Sequence, residues 1–99
     1  MNYQVSLTEK ARQDLRRLYA YMLDRDEDAA ARALEAIAAA MKILEQFPFS
    51  CRKAAGGSPL LRELLVPFGG SGYIILFRID DSNTVTIAAI RHQREDDYH

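Results

Sequence analysis

The fold turns on the stretch "LRELLVPFGGSGYIILFRI", residues 61–79. Two apolar runs read as strands, 60–66 and 72–79, and "GGSG" (69–72) between them reads as a turn. It is not a phosphate loop, because no lysine follows and the next element is a strand rather than a helix. A third run, "TVTIAAIR" (84–91), follows across "DDSN" (80–83), so the last two strands pair as an antiparallel hairpin. Side chains alternate along a strand, which places Tyr73, Ile75, Phe77 and Ile79 on one face. Ile74, Leu76 and Arg78 take the other, and both faces are largely apolar.

Toward the N-terminus the periodicity changes. Ala11, Leu15, Leu18 and Met22 recur at helical spacing, with Arg12, Arg16 and Arg17 on other sides. Thr8 supplies an N-cap oxygen, and Ser6 with Glu9 offers the alternative capping-box spacing. A second helix runs through "AAARALEAIAAAMKILEQF" (29–47) with the stripe Leu34, Ile37, Met41 and Leu44, and Pro48 ends it. Eight alanines between positions 29 and 40 permit close approach to the first helix. The acidic connector "DRDED" (24–28) implies an antiparallel helical hairpin. A short strand, "NYQVSL" (2–7), precedes both helices, and "SCRKAAGGSP" (50–59) is read as a loop. The expected architecture is βααβββ, an α+β domain over residues 1–99 with the helical hairpin on one face of a small antiparallel sheet.

Two helices cover only one sheet face. The other is left with apolar groups and arginine together, a combination suited to a partner. By alternation its members are expected to be Arg62, Leu64, Val66, Ile74, Leu76 and Arg78, with Arg91 at the rim.

Composition narrows the class. An apolar share of 48% with 27% charged residues suits a folded globular chain. No apolar run reaches the ~20 residues of a membrane span. The start "MNYQVSLTEK" lacks the signature of a secretory signal, and the single Cys51 forms no internal disulfide, so a cytoplasmic protein is expected. The net charge is −1 but unevenly spread. Arg52, Lys53, Arg62 and Arg78 stand against Glu63 alone over 51–79. Asp26, Glu27, Asp28, Glu35 and Glu45 outnumber Arg32 and Lys42 over 26–50. A nearly neutral chain can thus own a basic face that attracts nucleic acid or acidic peptide.

Three segments in order carry a resemblance: "Y-x-V-S-L-T-x-x-A-x-x-D-L" (3–15), the 61–79 stretch, and "V-x-I-A-A-I-R-H-Q-R" (85–94). Together with the βααβββ order they resemble the RelE/ParE family of bacterial toxins, and the I-R-H-x-R ending is closer to the ParE branch. The resemblance implies a type II toxin–antitoxin module, in which a cognate ParD-like antitoxin folds around the toxin as a hetero-oligomer. ParE-like members act on DNA gyrase. RelE-like members cleave mRNA in the ribosome, and a degenerate toxin acting only in an antitoxin-bound repressor complex is a further possibility.

Metal-free RNA cleavage needs a base, an acid and cations around the phosphate. The candidates are Lys53, Arg62, Arg78, Arg91 and His92, with Tyr98 further on. RelE-like sets usually add more lysines or a nearby aromatic residue, whereas Gln93 follows His92 here, and Glu63 alternates away from Arg62. That departure favours binding over catalysis, with Arg91, His92 and Arg94 as the target-binding residues. Asp96, Asp97 and His99 lack a partner cluster for a metal, and Cys51 has no adjacent histidine. No cofactor and no metal are expected.

Overall fold

The computed structural model describes residues 2–54 and 58–94. In chain order these form β1 (Gln4–Leu7), α1 (Glu9–Leu23), α2 (Glu27–Gln46), a 3-10 turn (Pro48–Ser50), β2 (Arg52–Lys53), β3 (Leu61–Phe68), β4 (Ser71–Ile79) and β5 (Thr84–His92). Two helices pack on a five-stranded sheet of order β1-β5-β4-β3-β2, an α+β fold as expected. Two details differ from the sequence reading. The segment taken as a loop contributes the two-residue β2, paired with β3 at Arg62 and Glu63. The sheet is also mixed, because β1 lies parallel to β5. No turn joins those two strands, so nothing local sets their direction. Backbone bonds from Gln4 N–H to Asn83 O (2.8 Å) and from Thr8 N–H to Ile87 O (3.0 Å) hold it at both ends.

Each helix starts on a side-chain cap. Thr8 Oγ1 accepts from Ala11 N–H at 3.1 Å, so Thr8 and not Ser6 is the N-cap of α1. Asp26 Oδ1 accepts from Asp28 and Ala29 N–H at 3.0 and 3.2 Å and starts α2 inside the acidic connector. The buried stripe of α2 is Ala30, Ala33, Ile37, Ala40 and Leu44, whereas Leu34 is 36% exposed. Leu34 sits about 60° round the helix from Ile37, at the margin of the contact. The alanines take the interface instead, because a small side chain lets neighbouring backbone approach closely. Against this layer pack Val66, Tyr73, Ile75, Phe77, Val85, Ile87 and Ile90 from the sheet.

The register of β3 on β4 decides which residues meet the helices. Phe68 pairs with Ser71, so the turn is only Gly69-Gly70, with φ +60° at Gly69 where a tight hairpin needs a left-handed residue. A two-residue turn pairs even positions with odd ones: Arg62 with Phe77, Leu64 with Ile75, Val66 with Tyr73. Arg62, Leu64 and Val66 therefore lie on the helix-facing side, and Val66 is 3% exposed in the core. The six-residue open face expected from alternation is corrected accordingly. Ile74, Leu76 and Arg78 stay on it, but their β3 neighbours are Leu65, Glu63 and Leu61.

Candidate functional site

The expected site residues fall into two places. β4 and β5 pair with a register shift at Leu76/Phe77: Leu76 faces Ala89, and Phe77 faces Ile87, so Ala88 is one residue too many. This bulge reverses the alternation of β5. Val85 and Ile87 point to the helices before it, and Ile90 and His92 do so after it. Arg91 consequently stands on the open face beside Ile74, and His92 on the helix side beside Tyr73.

The helix-side position is a cleft of about 450 Å³ between α1 and the β3–β4 turn, lined by Leu18, Tyr21, Met22, Tyr73, His92 and Arg94, with Gly70 and Ser71 at the turn. His92 meets the Tyr73 ring edge-on, with centroids 5.6 Å apart. Arg94 N–H donates to His92 Nδ1 at 3.1 Å, so the ring proton sits on Nε2 and is donated to Ser71 Oγ at 3.0 Å. A Ser–His contact of this tautomer cannot activate the serine, since the imidazole has no lone pair directed at the hydroxyl. Burial pushes the Tyr73 phenol above its ordinary value, which keeps it protonated. Burial likewise pushes the Cys51 thiol up, against weaker opposing pulls from Ser50 and Arg62, so it is a poor nucleophile.

The other arginines are spread apart. Arg62 donates to Cys51 O at 2.7 Å and lies 5.4 Å over the Phe49 ring, clamping the segment that leads into β2. Arg78 ion-pairs with Asp80 at the far end of the open face. Positions 74 and 78 are four strand steps apart, so Arg78 and Arg91 stand roughly 13 Å apart along the sheet. Arg62, Arg78, Arg91 and His92, expected to share nuclease chemistry, are thus divided between two faces. Arg91, His92 and Arg94 follow one another at the end of β5 and just beyond it, with Arg91 on the open face and His92 on the helix side. The open face between is apolar with a paired acid: Glu63 meets Arg52 at 3.1 Å, Leu65 is 40% exposed, and Ile74 and Ala89 are covered. Among the described residues no cluster of histidine, cysteine and acid could hold a metal, and no helix is long and apolar enough to cross a membrane. Tyr98, Asp96, Asp97 and His99 lie outside the described residues.

Three contributors were not foreseen. Ser71 fixes the His92 ring, and Thr8 and Asp14 reach β5 from α1: Thr8 Oγ1 donates to Ala88 O at 3.0 Å, and Ile90 N–H donates to Asp14 Oδ2 at 3.0 Å. A signal for Asp14 was present. It sits inside the apolar stripe of α1, between Ala11 and Leu18, where a carboxylate stays only if something buried needs it.

This fold, with a helical hairpin on a sheet that ends in an arginine-bearing tip, matches small bacterial toxins. Its backbone is similar to the chromosomal ParDE toxin–antitoxin system from P. aeruginosa, with TM-score 0.71 at 21% identity over 91% of this chain and 95% of that one. It is similar also to the toxin–antitoxin complex RelBE2 from Mycobacterium tuberculosis, with TM-score 0.59 at 25% identity over 94% and 100%. In sequence it is 34% identical over 95 residues to toxin RelE1 of Caulobacter vibrioides (96% of this chain, 98% of the relative). Toxin RelE3 of the same organism is 37% identical over 91 residues (92% and 95%). The class so defined is the toxin component of type II toxin–antitoxin systems. A family model, the ParE toxin of the type II toxin–antitoxin system parDE, matches residues 5–97, and the chain belongs to that family.

Proposed function

We propose that this toxin acts by binding DNA gyrase with the tip formed by Arg91, His92 and Arg94, performs no reaction of its own, and is silenced by a cognate ParD-like antitoxin. The observation that carries the first part is the dispersal of Arg62, Arg78, Arg91 and His92 over two faces, with both His92 nitrogens already engaged. Guanidinium groups at the tip, with apolar walls behind them, suit contact with a protein surface. The antitoxin part rests on the open face. There Leu65 and Leu76, the more accessible apolar side chains, lie between Arg78 and Arg91, a pattern that fits a peptide alternating apolar and acidic side chains. The action belongs in the cytoplasm, where gyrase works.

A supercoiling assay tests the reading. Excess purified toxin should inhibit gyrase, and Arg91→Glu with Arg94→Glu should relieve the inhibition. Undisturbed supercoiling by gyrase at high toxin excess would sink it. A second reading, ribosome-dependent mRNA cleavage, is favoured by the RelE names of the two Caulobacter relatives. It requires defined mRNA cuts in a translating extract, lost on His92→Ala.

A further inference from the structure

The bulge at Ala88 is held from outside the sheet, and what holds it decides where the tip residues point. β1 accompanies β5 only as far as Ile87. Beyond that point the outward backbone groups of β5 have no strand neighbour, and α1 replaces it with side chains. Thr8 Oγ1 donates to Ala88 O, the carbonyl of the extra residue, at 3.0 Å while also capping α1. Asp14 accepts Ile90 N–H at 3.0 Å, and this carboxylate is 6% exposed. The spacing fits: six helical residues advance about 9 Å, and the two strand residues from 88 to 90 about 7 Å. Lys10, 3.0 Å from Asp14, and Arg17, at 3.7 Å, flank the carboxylate and hold it in place.

We infer that Asp14, together with Thr8, is a positioning residue for the tip: it locks the bulged register of β5, and that register sends Arg91 to the open face and His92 into the α1 cleft. A regular strand would exchange the two. Arg91 would then point into the helices and His92 onto the open face, and Ser71 would lose its imidazole partner. Asp14 touches neither tip residue and acts only through Ile90. The link from the register to toxicity rests on the proposed role of the tip, whereas the register itself does not.

The decisive comparison is Asp14→Asn against Asp14→Leu. Asparagine keeps an oxygen for Ile90 N–H and discards the charge, and leucine keeps the volume and discards the acceptor. Asp14→Leu should raise amide exchange at Ile90 at least tenfold and shift the His92 ring nitrogen resonances. It should also raise the toxin dose for growth arrest at least tenfold and weaken antitoxin capture, since Arg91 would leave the open face. Asp14→Asn should resemble the wild type in all four. If Asp14→Leu does not fold, Thr8→Asp gives the same reading, because it preserves an N-cap acceptor but not the donor to Ala88. Equal damage from Asn and Leu, or an unchanged His92 spectrum in Leu or in Thr8→Asp, would overturn the inference. If the wild type arrests no growth, the toxin reading fails, and exchange at Ile90 with the His92 resonances still decides the positioning role.

Discussion

At the scale of single residues, the polar groups that matter are those whose loss leaves a backbone group stranded. Gly72 shows the same logic in reverse. A Cβ there would run into the Val66 carbonyl oxygen, with the Phe68 backbone nitrogen beside it. Gly72→Ala should destabilise the fold by about 1–3 kcal/mol in urea titrations, and a neutral result would mean that the β3–β4 hairpin has room to shift. Asp80 contributes to the pH dependence of the neighbouring hairpin, beside Asp81, which the Asn83 backbone N–H also holds below its ordinary value. The Asp80 carboxylate lies below the ordinary value, first because Thr86 donates to it and then because Arg78 does. A folded value below the unfolded one stabilises at neutral pH, and the gain fades as pH falls through the folded value. Melting temperatures of wild type and Asp80→Asn should therefore converge below the ordinary carboxylate range. A gap independent of pH would show that the pairing contributes nothing.

Among the elements, α2 separates what periodicity can and cannot say. The 3.6-residue pattern marks the helix and its start, but four large residues do not reveal which of them touch the core. Alanine at positions 30, 33 and 40 lines the contact, and Leu34 stands at its edge. Ile37→Ala should cost about 2–5 kcal/mol, since it opens a cavity in a layer that cannot collapse. Leu34→Ala should stay within about 0.5 kcal/mol, as an exposed position does. Equal losses in chemical denaturation would restore Leu34 to the core. In β3 and β4 the apolar runs were legible while their relative faces were not. Face depends on whether the turn holds an even or odd number of residues, and "GGSG" admits both counts. The bulge at Ala88 is less legible still, for it follows from side chains 76 and 80 residues earlier, at and near the start of a helix.

For the whole molecule, the open sheet face is the surface on which binding can be tested. Leu76→Asp should weaken the antitoxin complex more than Arg12→Asp, as measured by calorimetry, because only Leu76 belongs to that face. Val66→Asp should instead prevent folding, since Val66 packs between sheet and helices. If Val66→Asp folds and merely loses antitoxin, the helix-side assignment is wrong. Antitoxin at a hundred times its dissociation constant should stabilise the toxin by about 2.7 kcal/mol, visible as a higher melting temperature.

Local patterns in the sequence were sufficient for the two helices, Thr8 as a candidate cap, the three long strands, the turn after β3 and the β4–β5 hairpin. Each rests on interactions within a dozen residues, where periodicity, a capping oxygen or a glycine turn acts directly. The parallel placement of β1, the two-residue β2, the face of Arg62, Leu64 and Val66, and the parting of Arg91 from His92 were decided only by tertiary structure. The last of these depends on the contacts of Thr8 with Ala88 and Asp14 with Ile90, between residues 80 and 76 positions apart. Alternation along one strand carries no information about an acceptor that arrives from another element.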